Sequence, residues 1–160
     1  MVIHMTEQRN NLGNEKKITL NIITPRGVKF VEQADRIIMR CIDGDLGVLY
    51  GHAPVTTALG DGILRFYNDG IETKLAVFGG IAEIGPTTVN ILSTIAQRPE
   101  EIDLERAETD RQEAEAMLLE ESGEMQIQNS NIMLRRCLVR IEVNLHLKEN
   151  GYAEDNYDDE

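Results

Sequence analysis

The chain has 160 residues, 41% of them apolar and only 4% aromatic, with no tryptophan and a net charge of −12. This length suits one domain, or one domain with an appendage, and buries a core without covalent staples. The acidic balance argues against nucleic acid as a partner and against an anionic lipid surface, since both call for clustered Lys and Arg.

Residues 1–17, "MVIHMTEQRNNLGNEKK", are polar after Met5 and lack the apolar centre of a signal peptide. They read as a flexible leader. No stretch approaches the length of a membrane span. Cys41 and Cys137 lie far apart in apolar runs. They read as reduced core thiols of a cytosolic protein rather than a disulfide framework.

Residues 18–97 carry strand patterns. "ITLNII" alternates, with Ile18, Leu20 and Ile22 on one face, and "RIIMRCI", "ILRFY", "IETKLAVF", "IAEI" and "TVNILSTI" follow. Turn residues bound each run: Pro25-Arg26-Gly27, Asp43-Gly44, Gly60-Asp61-Gly62, Asn68-Asp69-Gly70, Gly79-Gly80 and Gly85-Pro86. Short strands at such spacing, without helical periodicity between them, predict an antiparallel sandwich or barrel.

The period changes at Pro99. "PEEIDLERAETDRQEAEAMLLEE" is built of good helix formers, with Pro in the first turn and acids near the positive end of the dipole. Ile102, Ala107, Ala114, Met117 and Leu118 form a narrow apolar stripe. Ser122-Gly123 breaks it, and a second helix follows to about Lys148. Ile127, Leu134, Leu138, Ile141 and Leu145 repeat at sevens, fours and threes, which predicts a helix-pairing seam. Asn150-Gly151 should end this helix, and the acidic tail, residues 151–160, is expected to be disordered. The predicted fold is an N-terminal antiparallel β-sandwich (18–97) followed by a C-terminal two-helix antiparallel hairpin (98–150). A hairpin alone buries its stripes poorly, so it must lie on the sandwich or on another protein.

"GDLGVLYGHAP", Gly44 to Pro54, reads either as a corner or as a catalytic loop around His52. A catalytic histidine needs a nucleophile, an orienting group or metal-ligand spacing. His4 and His146 stand at no such spacing from it, and no Cys or carboxylate cluster completes a metal site. The plain reading is a turn, with Gly51 for an unusual backbone angle and Pro54 before an edge strand. Asp103 reads as a helix cap, Arg106 as the partner of an acid one turn away, and Arg136 with Arg140 as an i,i+4 pair able to clamp phosphate.

The same stretches resemble the epsilon-subunit family of the F-type rotary ATP synthases (delta in mitochondria). "GDLGVLYGHAP" is similar to that family's G-E-L-G-[IV]-L-P-G-H-A-P signature, with Tyr50 where Pro is usual. "GGIAEI" and "VNILS" resemble its later strands, and "IDLERA" matches the I-D-x-x-R-A opening of its first C-terminal helix. The resemblance covers about residues 18–148. It implies a non-catalytic rotor subunit on the cytoplasmic side of the cell membrane. Its partners would be the gamma subunit, the membrane c-ring and the alpha/beta catalytic head. Asp45 and His52 become ring-contact candidates. Ile102, Asp103, Arg106, Ala107, Arg136 and Arg140 become candidates for ATP as a regulatory ligand, although Glu113 and Gln97 replace an Arg and an acid of ATP-binding relatives. Arg135, Arg136 and Arg140 become candidates for inhibitory contacts with the beta subunit when the helices extend along gamma. Two rival readings are a stand-alone ATP sensor built on the hairpin, and a small β-barrel enzyme with His52 and Glu83 in its mouth.

Overall fold

The computed structural model describes residues 16–120 and 122–154. Ten strands occur among the described residues: β1 (Ile18–Thr24), β2 (Gly27–Ala34), β3 (Arg36–Cys41), β4 (Gly44–Leu49), β5 (Val55–Ala58), β6 (Asp61–Asn68), β7 (Ile71–Phe78), β8 (Ile81–Ile84), β9 (Thr88–Leu92) and β10 (Ile95–Gln97). They form two five-stranded sheets, ordered β2-β1-β9-β8-β5 and β10-β7-β6-β3-β4. Described strand pairs are antiparallel except β1 with β9, which run parallel.

Alternation explains the layering. In β1, Ile18, Leu20 and Ile22 are fully buried while Thr19 and Asn21 point outward, as a period of two demands. Ile37, Met39, Val48, Leu64, Leu75, Val89 and Ile91 meet them from the other strands and fill the space between the sheets. The β6–β7 hairpin closes through Asp69 (φ 51°) and Gly70 (φ 82°), the pair of positive φ angles of a tight two-residue loop.

Several local expectations give way. Asp61-Gly62 is not a turn but the start of β6, where Gly62 lets Arg40 cross it. A Cβ there would lie 2.7 Å from the Arg40 Cβ. "TVNILSTI" is two strands in different sheets, broken at Ser93, whose hydroxyl binds the Gly79 carbonyl at 2.8 Å. The first six residues of "GDLGVLYGHAP" are edge strand β4, so the corner proper is only Tyr50 to Pro54. β2, an edge strand, alternates in burial from Lys29 to Ala34 but carried no apolar alternation in sequence, because Val28 and Val31 are exposed while Glu32 is half-buried.

A 3-10 turn, Pro99–Glu101, leads into α1 (Leu104–Glu120), and α2 (Glu124–Glu154) returns antiparallel to it. Asp103 caps α1, accepting the Arg106 backbone N–H on Oδ1 at 3.1 Å. α2 crosses β6 and β7 on the outer face of the second sheet. There Val143 and Val139 pack with Ala76, Phe78, Ile63, Ile95 and Ile102 in a second apolar cluster.

Two helical expectations are corrected. α2 passes the Asn150-Gly151 stop and continues to Glu154, because one glycine weakens a helix by only about 1 kcal/mol relative to alanine. Residues 155–160 and 1–15 lie outside the described residues. Lys17, assigned to the leader, is anchored, with its ammonium 2.6 Å from Asp35 and 2.8 Å from Asp69. The seam also differs. Leu138 and Leu145 are 49% and 41% exposed, whereas Ala107 and Ala114 on α1 and Ser130 and Cys137 on α2 are buried. Small side chains allow the helices to approach closely and take the centre of the seam, while Ile127, Leu134 and Ile141 of the Leu/Ile stripe stay partly buried beside them.

Candidate functional site

Three places gather the residues singled out from the sequence. The first is the β4 edge. Asp45, its second residue, pairs with Arg40 across the β3–β4 ladder at 3.1 Å, with both side chains more than half exposed. His52 lies three residues beyond the other end of the strand. At about 3.3 Å per residue, β4 separates the two candidates rather than clustering them. Gly51 (φ 82°) makes the corner, which is pinned by Gly51 N–H to the Pro86 carbonyl at 2.7 Å and His52 N–H to the Leu49 carbonyl at 3.2 Å. The His52 Nδ1–H donates to the adjacent Ala53 carbonyl at 2.7 Å. That bond locks the ring in place as a turn residue. Glu83 sits on the outer sheet face, with Thr56 and Asn90 as its cross-strand neighbours. Neither His52 nor Glu83 lines any of the clefts described below. Exposed Ile42, Leu49 and Tyr50 run along or next to the same edge.

The second place is a cleft of about 280 Å³ between the linker, α1 and α2, lined by Gln97, Glu101, Ile102, Asp103, Arg106, Ala107, Asp110 and Arg140. Five of the six nucleotide candidates are therefore brought together. The sixth, Arg136, is not. It lines a neighbouring cleft of about 400 Å³ with Asp110, Asn129, Ile132, Met133, Cys137 and Arg140. Asp103 is committed as a helix cap, and Ile102 and Ala107 are buried. Arg106 is 80% exposed, 3.9 Å from Asp110. Arg140 donates from Nε to the Gln97 side-chain oxygen at 2.8 Å. Three carboxylates thus face two guanidiniums. Burial pushes the Glu101 carboxyl up, but the Arg98 N–H and the Lys29 ammonium outweigh it and hold the group below the usual carboxylate range. Among the described residues no cluster of His, Cys, Asp and Glu is arranged to hold a metal ion.

The third place is the basic face of α2. Arg136 donates from Nε to Asp61 Oδ2 at 2.8 Å, and its guanidinium lies 5.3 Å from the Phe78 ring centre. Arg140 lies 4.8 Å from the same ring. Both face the sandwich, whereas Arg135 is exposed. Lys74 with Glu142 at 3.8 Å and His146 Nε2 with the Glu72 carbonyl at 3.0 Å continue the contact toward the helix end. Sequence spacing showed the Arg pair but not its partners, which come from strands β6, β7 and β10.

One surface was missed altogether. On the outer face of the first sheet, Ile23, Leu92, Ile81 and Ala58 stand in register across β1, β9, β8 and β5. Ile81 and Leu92 are 48% and 40% exposed, and with Ile23, Pro25 and Gly80 they line an open apolar trough of about 430 Å³. The row is invisible in sequence because each strand contributes one residue to it.

Comparison with known proteins shows the family. Residues 17–99 match the family model of the ATP synthase delta/epsilon chain β-sandwich domain, and residues 100–143 that of the delta/epsilon long α-helix domain. An ATP synthase epsilon chain of Desulforamulus reducens is 38% identical over 76% of this chain and 92% of its own length. The epsilon chain of Bacillus subtilis is also 38% identical, over 80% and 97%. Among solved structures, a chain of the Euglena gracilis mitochondrial ATP synthase, OSCP/F1/c-ring, aligns with TM-score 0.69 and 28% identity over 82% of both chains. A chain of the Tetrahymena thermophila mitochondrial ATP synthase central stalk and c-ring shares the fold, at TM-score 0.51 and 13% identity.

Proposed function

Since the chain belongs to the ATP synthase delta/epsilon family, whose members are stalk subunits rather than catalytic ones, we propose which of its surfaces does which task. The sandwich grips the gamma subunit through the apolar row Ile23, Leu92, Ile81 and Ala58. It rests edge-on against the membrane c-ring along β4, with Asp45, Leu49, Tyr50 and His52 in contact. Ion-driven rotation of the ring then passes through this body to the alpha/beta head, on the cytoplasmic side of the membrane. No helix among the described residues is long and apolar enough to cross a membrane.

The observation that carries the gamma assignment is asymmetry between the two sheets. α2 covers the outer face of the second sheet, while the first sheet presents its apolar row uncovered. A contiguous apolar strip of this kind marks a protein interface. Replacing Ile81 and Leu92 together with Asp tests it. The double variant should keep the wild-type melting profile, because both side chains already face outward, and should lose copurification with gamma. Retained copurification defeats the assignment.

The helical pair is the regulatory part. Docked, it engages Arg136 and Arg140 with the sandwich. Undocked, the same guanidiniums and Arg135 become available to acidic loops of the beta subunit and restrain hydrolysis. This is a two-state element in which one set of cations has two alternative partners. A second ligand reading, ATP in the linker cleft, is favoured by the convergence of Ile102, Asp103, Arg106, Ala107 and Arg140 on one cavity.

A further inference from the structure

We propose that the joint at which the helices part from the sandwich is Ile102, and that Asn144 is the catch that keeps it shut. This deepens the regulatory reading above and rests on it only for the consequence in the enzyme.

The linker divides into two differently anchored pieces. Its first piece belongs to the first sheet. The Arg98 guanidinium pairs with Glu32 at 2.7 Å and stacks 4.2 Å from the Phe30 ring centre. Glu101 pairs with Lys29 at 2.9 Å and accepts the Arg98 backbone N–H at 2.7 Å, and the Glu101 N–H returns to the Arg98 carbonyl at 3.1 Å. Glu32, Phe30 and Lys29 all lie on β2, which α2 does not cover. Removing the helices would leave these ties intact, so Arg98 to Glu101 stays with the sandwich.

The second piece belongs to the helices. The Ile102 side chain is buried with Val143 of α2 and with Phe78, and Asp103 is already the cap of α1. Ile102 itself is extended (φ −92°, ψ 121°) between the 3-10 turn and α1. With Asp103 it forms the short non-helical link between the 3-10 turn and α1, and rotation concentrates at such a link when packed elements separate.

One side chain closes this joint from outside. The Asn144 amide nitrogen, on α2, donates to the Pro99 carbonyl at 3.2 Å and to the Ile102 carbonyl at 3.2 Å. Both partners are carbonyl oxygens, so only the NH₂ end of the side chain meets them, with one hydrogen for each. The two acceptors flank the 3-10 turn and the joint. Holding both fixes the orientation of Ile102, and it does so only while α2 is docked.

The test is residue-resolved amide exchange on the full isolated chain. Ile102 N–H donates to the Pro99 carbonyl at 3.3 Å, a bond that breaks when the joint opens by rotation about Glu101 ψ, the torsion that leads into Ile102, while the Glu101 N–H bond to Arg98 lies upstream of that torsion and survives it. Asn144→Ala, and Asn144→Asp with its carboxylate against two carbonyls, should each speed Ile102 exchange about tenfold, the opening expected from two lost neutral hydrogen bonds. Glu101 should keep its wild-type rate. An unchanged Ile102 rate overturns the catch. Acceleration of Glu101 in step with Ile102 moves the joint to Pro99 or before and overturns its placement. Loss of protection in β1 and β9 also overturns it, since a local catch does not hold the whole fold. Other subunits play no part in the measurement. Should the joint open as described while hydrolysis in the reassembled complex stays at its wild-type inhibition, the regulatory reading alone would fall.

Discussion

Arg136 and Asp61 meet at 2.8 Å across the boundary between helix and sandwich, with the Arg136 guanidinium also over Phe78. Asp61 is the less exposed partner, and it sits in a strand whose first residues were expected to be a turn. The pair distinguishes two roles for one cation. Asp61→Asn leaves Arg136 in place but weakens docking, by about 1 kcal/mol for a partly buried pair. It should therefore strengthen inhibition of hydrolysis in the reassembled complex. Arg136→Ala weakens docking too, but removes a cation that the undocked state uses, so inhibition should fall. Steady-state ATP hydrolysis of the two variants measures this, and shifts of the same sign would separate Arg136 from the inhibitory contact.

The helix pair makes a second prediction, about stability. Ala114 is fully buried on the face of α1 that meets α2, whereas Leu138 is half exposed. Ala114→Leu should destabilise the isolated chain by about 1–3 kcal/mol through overpacking. Leu138→Ala should cost about 1 kcal/mol or less, because only about half of its surface leaves water on folding. Urea midpoints of the two variants decide it, and the opposite order would restore the leucine seam as the packing surface.

This contrast shows how far the sequence was legible. The sandwich followed by two helices could be read from alternation and from the change of period at Pro99. The leucine repeat was real, but periodicity reports which residues share a face and not which face is used. Alanine, serine and cysteine carry little hydrophobic signal, yet they decide how closely two helices approach. β2 and β4 were obscured because burial alternates along them but the apolar letters do not: β2 exposes Val28 and Val31 and half-buries Glu32, and β4 exposes Leu49. The I-D-x-x-R-A motif was visible at once. Its Ile fills the second apolar cluster, its Asp caps α1 and its Ala is buried, so only the exposed Arg106 lacks a packing role.

Acid should loosen both ends of the sandwich. Lys17 donates to Asp35 and holds its carboxyl below the ordinary value, and Lys29 with the Arg98 N–H outweighs burial to do the same for Glu101. A carboxyl with a depressed folded pKa stabilises the fold above its unfolded pKa, and that stability is lost as pH falls through the folded value. The Lys17 ammonium, raised first by its hydrogen bond to Asp35, has the opposite sign. Its contribution is present below its unfolded pKa and lost as pH rises through the folded one. Urea midpoints should drop from about pH 5 to about pH 2, and less steeply in Asp35→Asn and Glu101→Gln. Equal slopes in wild type and both variants would dissociate these carboxyls from the acid transition.

The linker cleft makes the last prediction. Arg106 and Arg140 face Glu101, Asp103 and Asp110 across it, and the Arg140 Nε is already engaged by Gln97. A triphosphate entering this cleft meets more negative than positive charge, so Mg-ATP should bind the isolated chain weakly. Glu113 lies on α1 two turns beyond Arg106 and three residues beyond Asp110, on the same side of the helix but exposed beyond the residues that line the cleft. Glu113→Arg replaces a repulsive carboxylate at the rim of the cleft with a cation whose long side chain can reach toward the phosphates. One charge-assisted hydrogen bond is worth about 1.5–3 kcal/mol, so affinity should rise tenfold or more. Arg106→Ala in that background should abolish the gain. Calorimetric titration with Mg-ATP reads both variants. If Glu113→Arg left the affinity unchanged, the phosphates would not lie along this stripe of α1, and the cleft would be a gap left by the joint rather than a nucleotide site.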